Sequence, residues 1–226
     1  MTEIFQNIII IPYRDRESHI DYFIKNSVPL IEKYMPRTKI VVIEQEEGKL
    51  FNRGSLLNIG FSLYKNKTLY FITHDVDINP TEEVVKSIYT KKDFDVYRIK
   101  WAHGTSLGGI IKVKHDIIFN INGFPNNIWG WGIEDRALYY RCIIKNINIT
   151  NNNNFSFNIL PHKSNSVPYI GEKKTISDMW HLNYLDKLNN QQKQEMIMNS
   201  GLNNLEFKIL ETKKLHSIVE LVKVSI

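Results

Sequence analysis

Asp75 and Asp77 are separated by one residue in the segment HDVDINP, directly after an apolar run. Carboxylate oxygens at this spacing suit a divalent cation, which can also bind the oxygens of a diphosphate. Arginines stand in two other polar segments, at Arg14, Arg16 and Arg53, and their forked N–H donors also suit diphosphate. Together these residues indicate a site for a nucleotide diphosphate with a metal ion. For the two aspartates alone, the alternative is a polar turn without a ligand.

The segment FPNNIWGWGIEDRALYYR, residues 124–141, combines two tryptophans, two glycines and the adjacent carboxylates Glu134 and Asp135. Indole stacks on the apolar face of a sugar ring, and glycine lets the backbone approach a ligand closely. The carboxylates stand where a helical pattern begins, and transfer to a hydroxyl group requires a base. The segment therefore predicts an acceptor site with a general base. The alternative is a helix N-terminus beside a core tryptophan.

The elements that carry these residues follow a β-α-β-α-β pattern. Short apolar runs predict buried strands at 7–13, 37–45 and 68–73. A helix joins the first two strands, with Pro29 near its end, and a second helix covers 52–66. Because open α/β sheets bind ligands beyond the carboxyl ends of their strands, the arginines and aspartates are expected to converge at that edge.

The rest of the chain has a looser pattern. It predicts a helix near 81–90, strands at 95–100 and 110–114, a helix that starts at Glu134, and a pair of strands within 206–226. No repeat or linker divides the 226 residues. We therefore expect a single domain, 1–226, with a nucleotide-binding half at 1–80 and an acceptor-binding and lid half at 81–226.

Composition and charge exclude few classes of function, but they indicate which partners and which cellular compartment to expect. The 29 basic and 24 acidic residues are spread along the chain, and no RNA-recognition motif, zinc finger or basic arm is present, so nucleic acid is not the expected partner. No apolar run reaches the length of a membrane span, and no basic leader precedes the N-terminal run. The single cysteine, Cys142, is expected to be a buried core thiol. These features predict a cytoplasmic protein without a membrane segment.

Five motifs resemble those of the β1,4-galactosyltransferases, in that family's order and roughly its spacing. They are IIIPYRDR, FNRGSLLNIGF, HDVDINP, INGFPNNIWGWGIED and SGLNNLEFKIL. The resemblance implies an α/β protein of the GT-A type nucleotide-sugar transferase fold, with a mixed central sheet and helices on both faces. It also implies a manganese-dependent, inverting transfer of galactose or N-acetylgalactosamine from a UDP-sugar to a hydroxyl of a carbohydrate or glycoconjugate acceptor.

The resemblance implies roles for the nucleotide and metal residues. UDP would contact Arg14, Arg16, Phe51, Arg53 and Asp75. The DxD motif would hold the metal through Asp77, together with His162. Relatives often have a second ligand two or three residues before this histidine, where the chain has Ile159 and Leu160. Without that ligand, the ion should depend more on the phosphates of the nucleotide.

The resemblance also implies roles in the acceptor half. Asp135 would be the catalytic base, with Glu134 beside it holding acceptor or loop groups, and Trp131 would contact both donor and acceptor. Ser106 and Gly109 would contact the substrate. Ser106 stands where galactose-specific enzymes have a bulky tyrosine, so that space for an N-acetylated donor sugar is expected.

Some residues depart from the family pattern or have a plainer interpretation. Arg136 replaces the acid that usually follows the base, and with Ile159 it leaves open a second function, a catalytically weak or inactive sugar-binding module of the same fold. The segment 163–179 resembles the family's mobile lid, with an ordinary surface loop as the alternative. His74 is expected to be a turn histidine bonded to backbone rather than a metal ligand.

Overall fold

The computed structural model describes residues 4–102, 104–130, 132–151, 155–161 and 171–226. Within these residues, the strands are β1 (Phe5–Tyr13), β2 (Thr38–Gln45), β3 (Thr68–Thr73), β4 (Ile78–Pro80), β5 (Val96–Lys100), β6 (Ile110–Lys114), β7 (Ile149–Thr150), β8 (Phe157–Ile159), β9 (Lys208–Lys214) and β10 (Val219–Ser225). All except β4 and β8, which pair with each other, belong to one sheet. The three strands predicted from apolar runs are therefore confirmed.

The helices flank this sheet. They are α1 (Glu17–Asn26), α2 (Val28–Tyr34), α3 (Arg53–Leu63), α4 (Glu82–Val84, continued by the π-helical turn Val85–Tyr89), α5 (His115–Asn120), α6 (Glu134–Ile144), α7 (Gly171–Met179), α8 (Leu182–Leu185) and α9 (Asn190–Met198). The expected single helix between β1 and β2 is in fact two helices, divided at Ser27. Pro29 lies in the first turn of α2, where its missing N–H is tolerated.

The large sheet is mixed, with the order β7-β5-β6-β3-β1-β2-β10-β9. Strands β1, β2, β3 and β10 are parallel, whereas β6 is antiparallel to both β3 and β5. It follows that β5 runs in the same direction as β3. The carboxyl ends of β1, β2, β3 and β5 therefore open at one edge of the sheet.

Apolar residues that alternate along the strands form two cores. Ile9 and Ile11 of β1 pack on one face with residues of α1, α2 and α4. Ile8 and Ile10 pack on the opposite face with residues of α3, α5 and α6. This alternation, with helices on both sides, confirms the predicted α/β class and the mixed sheet. Cys142 is buried in the second core, where burial raises the pKa of its thiol to about 12.

A third core lies outside the sheet and packs α6 against α7, α8 and α9. Its members include Ala137 and Tyr140 of α6 with Trp180 and Ile197. The helices of residues 171–198 are thus attached to the helix that starts at the predicted base. None of the helices in the described ranges has the length and apolar character needed to span a bilayer.

Candidate active site

The centre of the site is an ion pair between the start of α3 and the end of β3. The Nε and Nη2 atoms of Arg53 donate to Oδ1 of Asp75 at 3.0 and 2.8 Å. Nη2 also donates to the carbonyl oxygen of Gly109 at 3.1 Å. Gly109 has φ +56°, and a Cβ there would stand 2.3 Å from the carbonyl oxygen of Lys100. Glycine is required at this position because the chain crosses closely beside β5.

Glu134 lies on the other side of Arg53. Its Oε1 atom is 3.9 Å from Nη1 of Arg53, and the residue is 7% exposed. Burial raises the pKa of Glu134 to about 7; Arg53 opposes this rise and Asp135 adds to it. Among the described residues, Oε2 of Glu134 and Nη1 of Arg53 have no hydrogen-bond partner although both are buried. These two atoms are therefore available to polar groups of a ligand.

Asp77 follows Asp75 in the turn that joins β3 to β4 and is 6% exposed. Its backbone oxygen accepts from the N–H of Leu160 at 2.8 Å, which joins the DxD turn to the segment that leads toward residue 162. His162 itself lies outside the described residues. Within the described part of the chain, no group of three or more His, Cys, Asp or Glu side chains is arranged to hold a metal ion. The described carboxylates fit a cation that takes most of its ligands from phosphate and water.

His74 is not placed to bind a metal. Its Nδ1 atom lies 2.9 Å from the carbonyl oxygen of Asp75, and its Nε2 atom lies 2.8 Å from the hydroxyl oxygen of Tyr89. The ring is fully buried, which lowers its pKa to about 4. The expected turn histidine bonded to backbone is confirmed.

The residues after β1 and β2 form a second part of the site. Arg14 donates from Nη1 to the carbonyl oxygen of Lys49 at 2.8 Å, and its guanidinium carbon lies 5.5 Å from the centre of the Phe51 ring. The carbonyl oxygen of Phe51 accepts from the N–H of Gly130 at 2.8 Å. The loop after β2 is thus held between an arginine and the WGWG segment. Arg16 is half-buried and directly precedes α1.

Asp135 is half-buried in the first turn of α6, and both of its carboxylate oxygens accept a hydrogen bond. The backbone N–H of Arg136 donates to Oδ1 at 2.8 Å, and Oγ of Ser106 donates to Oδ2 at 2.5 Å.

The residue before the carboxylate pair, Ile133, has φ +84°. A β-branched residue in this region costs about 1–3 kcal/mol and is retained only where packing fixes it. Ile133 is buried in the third core.

Two predicted site residues, Trp131 and His162, lie outside the described residues, and their assigned roles remain predictions. Residues 163–170 of the predicted lid are also outside the described ranges. Its last part, however, is the helix α7, and Arg136 donates from Nη2 to the carbonyl oxygen and to Oγ of Ser177 at 3.0 and 2.5 Å. The surface-loop interpretation is therefore wrong for α7.

Asparagines join three of the sequence motifs. Asn58 of α3 donates to the carbonyl oxygen of Phe124 and to Oδ1 of Asn126, at 2.7 and 2.8 Å. Asn126 in turn donates to the carbonyl oxygen of Gly201 at 2.7 Å. The motifs FNRGSLLN, NGFPNN and SGLNN thus meet through side-chain amides. The network fixes residues 124–126, which lead into the WGWG segment, against α3.

Arg141 is a buried arginine that the sequence did not single out. It is fully buried in α6, where it donates to the carbonyl oxygens of Asn122, Gly123 and Ser200 at 2.5 to 2.8 Å. The guanidinium carbon lies 5.3 Å from the centre of the Trp180 ring. Burial lowers the pKa of Arg141 to about 9, which still leaves it charged at neutral pH. The residue joins α6 to both asparagine-rich motifs.

Replacing this arginine tests its structural role. Arg141→Met keeps the length of the side chain but leaves the carbonyl oxygens of Gly123 and Ser200 without the donor they have here, while that of Asn122 keeps the N–H of Leu202. Each unsatisfied buried group costs about 1–3 kcal/mol. We expect a loss of at least about 2 kcal/mol in the free energy of unfolding, measured by denaturant titration. Arg136→Met, which removes the two hydrogen bonds from a half-buried arginine to Ser177 of α7, is the matched control and should cost less. Equal losses in the two variants would contradict the role assigned to Arg141.

Named relatives place the chain in a family. Human β-1,4-galactosyltransferase 4 is 34% identical over 152 residues, which are 63% of this chain and 44% of that protein. Bovine β-1,4-galactosyltransferase 1 is 26% identical over 214 residues, or 91% of this chain and 51% of that protein. The chain spans about half the length of the curated relatives it matches.

Two family models match consecutive parts of the chain. The N-terminal region of glycosyl transferase group 7 matches residues 3–90. The N-terminal domain of galactosyltransferase matches residues 90–163. Together the two matches cover more than half of the chain. The chain belongs to the β1,4-galactosyltransferase family.

Solved structures agree with the fold of this galactosyltransferase family member. The catalytic domain of Drosophila β1,4-galactosyltransferase 7, in complex with xylobiose, aligns with a TM-score of 0.80 at 20% identity, over 99% of this chain and 94% of that chain. A point mutant of the same Drosophila enzyme, in complex with manganese, UDP-Gal and xylobiose, aligns with a TM-score of 0.73 at 21% identity, over the same shares of both chains. The predicted GT-A fold is confirmed.

Proposed function

We propose that this chain is a metal-dependent, inverting hexosyltransferase that moves galactose or N-acetylgalactosamine from a UDP-sugar to a hydroxyl of a carbohydrate or glycoconjugate acceptor. The observation that carries the proposal is the arrangement around Arg53. Its Nη1 atom and Oε2 of Glu134 are buried without hydrogen-bond partners among the described residues. They lie between the DxD turn and Asp135. A donor and an acceptor would supply the missing polar partners at that junction.

Binding of UDP would use the residues at the carboxyl ends of β1, β2 and β3. Arg14 and Arg53 offer charge and forked donors to the diphosphate, and the Phe51 ring offers an apolar face to the uracil. Arg16 and Asp75 belong to the same edge, and Asp75 keeps the guanidinium of Arg53 oriented. This half of the site corresponds to 1–80, and the acceptor half to 81–226.

The metal would be held by Asp77 and His162. The contact between Leu160 and the backbone oxygen of Asp77 supports this pairing, because it joins the two segments. The Drosophila enzyme, whose structure contains manganese with UDP-Gal, shares the fold. A bound divalent cation supplies positive charge that stabilises UDP as a leaving group. Since neither Ile159 nor Leu160 can bind metal, the ion should bind tightly only together with the nucleotide.

In the proposed transfer step, Asp135 is the general base. Its carboxylate takes the proton of the acceptor hydroxyl while that oxygen attacks the anomeric carbon, and the bond from that carbon to the UDP oxygen breaks on the opposite side. The anomeric configuration is therefore inverted. Glu134 would hold another acceptor hydroxyl through Oε2, and Trp131 would stack on a sugar ring.

The choice of donor is expected to depend on Ser106. A serine leaves space beside the donor sugar that a tyrosine would fill, and its oxygen keeps one lone pair after bonding Asp135 and the N–H of Gly108. An acetamido N–H can donate to that lone pair, which is worth about 0.5–1.5 kcal/mol. We expect UDP-N-acetylgalactosamine to serve at least as well as UDP-galactose. Ser106→Tyr should shift the product ratio toward galactose.

Competition between the two donors tests this expectation. Both UDP-sugars are supplied at equal concentration and the products are weighed by mass spectrometry, so that a change in total rate does not affect the ratio. Leu69→Tyr, which adds a ring at an exposed position near the start of β3, is the control. A wild-type enzyme that makes only the galactose product, with no change in Ser106→Tyr, would exclude a role of Ser106 in donor choice.

The function itself is tested by incubating the protein with a panel of UDP-sugars and acceptor glycans, with and without manganese. The expected result is release of UDP and a product heavier by one hexose or N-acetylhexosamine, only with the cation present. Binding of UDP without any product would instead indicate a sugar-binding module of the same fold.

A further inference from the structure

The turn before β6 is hydrogen-bonded to the start of α6 at two points. Oγ of Ser106 donates to Oδ2 of Asp135 at 2.5 Å, and the N–H of Leu107 donates to the carbonyl oxygen of Asp135 at 3.1 Å. The N–H of Gly108 donates back to Oγ of Ser106 at 3.2 Å. The serine hydroxyl is thus oriented by one backbone donor and directs its own proton to the carboxylate.

These contacts fix the rotation of the carboxylate. Oδ1 of Asp135 is held by the N–H of Arg136 in the same helix, and Oδ2 is held by Ser106 from the turn before β6. An ionised carboxylate has about four acceptor sites, and the remaining ones point away from these two donors. A Cβ at Gly108 would stand 3.1 Å from Oδ2, which shows how closely the turn packs on this oxygen.

We propose that Ser106 is a positioning residue for the base of the transfer reaction, acting through its hydrogen bond to Asp135. The proposal rests on the function proposed above. It goes beyond the donor-pocket role of this position, because that role depends on the size of the side chain and on a bond to an acetamido group, and neither involves Asp135. The hydroxyl group itself holds the carboxylate in the orientation that meets the acceptor hydroxyl. Charged neighbours that also act on this carboxylate are Arg53 and Glu134.

The two roles predict different results for small substitutions. Ser106→Ala keeps the open donor pocket and removes only the hydroxyl. With UDP-galactose, which has no acetamido group to bond that hydroxyl, a pure pocket role predicts an unchanged rate. A positioning role predicts a loss, because misplacing a reacting group by about 1 Å costs up to about 100-fold. We expect kcat to fall about 10- to 100-fold in Ser106→Ala, with KM for UDP-galactose changed less than about 2-fold.

Two further variants separate the hydroxyl from folding effects. Ser106→Thr restores a hydroxyl donor and should recover kcat to within about 3-fold of wild type. Thr105→Ala removes a hydroxyl from the exposed neighbouring residue and should leave kcat unchanged. Thermal melting of each variant shows whether the fold is retained.

A double-mutant cycle tests whether Ser106 acts through Asp135. In an Asp135→Asn background, the residual rate should change less than about 2-fold on adding Ser106→Ala, because the group that Ser106 positions no longer accepts a proton. An unchanged kcat in Ser106→Ala, or equal losses in the two backgrounds, would overturn the proposal. If the wild-type protein transfers no sugar at all, the proposed function fails first, and the positioning role fails with it. Transfer by wild type with no effect of Ser106→Ala overturns the positioning role alone.

Discussion

Asp135→Asn is expected to lower the rate of sugar transfer by about 100- to 10,000-fold, which is the usual effect of losing a general base. Asparagine keeps the size of the side chain, and its amide oxygen can still accept the hydrogen bond from Ser106 or from the N–H of Arg136. It cannot take a proton from the acceptor. Because the nucleotide residues Arg14, Phe51 and Arg53 are untouched, affinity for UDP should stay near wild type. Product mass over time gives the rate, and calorimetry gives the affinity.

The effect of Glu134→Gln, compared with that of Asp135→Asn, shows which of the two carboxylates is the base. Glu134 is buried beside Arg53, and its pKa of about 7 also lies where a base works well. Its expected role is to hold an acceptor hydroxyl, so Glu134→Gln should raise the acceptor KM more than it lowers kcat. Asp116→Asn, at a side chain that is 96% exposed, controls for the loss of a carboxylate. A larger loss of kcat in Glu134→Gln than in Asp135→Asn would reverse the two roles.

Much of the fold and part of the site follow from local patterns in the sequence. The apolar runs that became β1, β2 and β3 are buried on both faces, and such strands need no partner information to be recognised. The place of Asp75 directly after one of them was enough to predict its meeting with Arg53, because parallel strands end at one edge. The family resemblance added the roles of Asp135 and Ser106, which no local pattern distinguishes from a helix start and a loop residue.

The contacts that the sequence did not reveal are polar pairs between distant segments. Asn58 and Asn126 are 68 residues apart, and either one alone is typical of a loop or a helix surface. The burial of Arg141 could not be predicted either, because a charged residue in a helical pattern is expected to be exposed to solvent. The hydrogen bond from Ser106 to Asp135 depends on how the turn before β6 is positioned against the start of α6. Nothing in the spacing of these residues along the sequence predicts that relative position.

The short elements were missed for a different reason. The pair β4 and β8 has three residues in each strand, which is too few to show a period. Yet this pair brings Leu160 to the backbone of Asp77. The second metal ligand that we propose, His162, follows this strand in the sequence. A small sheet without a recognisable pattern thus brings the residue two positions before His162 to the backbone of Asp77.

Asp77→Ala is expected to abolish most of the dependence of UDP binding on manganese. Loss of groups that only support metal ligands already costs about 10- to 100-fold in metal affinity, and here one of few protein ligands would be removed. Wild type should bind UDP at least about 10-fold more tightly with manganese than without it, whereas the variant should show less than about a 2-fold difference.

The fold should survive this substitution, because the bond from Leu160 goes to the backbone oxygen of Asp77, which alanine keeps. Circular dichroism and thermal melting check this point, and Asp21→Ala, at an exposed residue of α1, is the control for charge. Titration calorimetry with UDP, in the presence and absence of manganese, gives the decisive ratio. If the variant keeps the wild-type response to manganese, Asp77 is not a metal ligand. The cation would then have to be held by other residues, with Asp75 as the first to test by the same measurement.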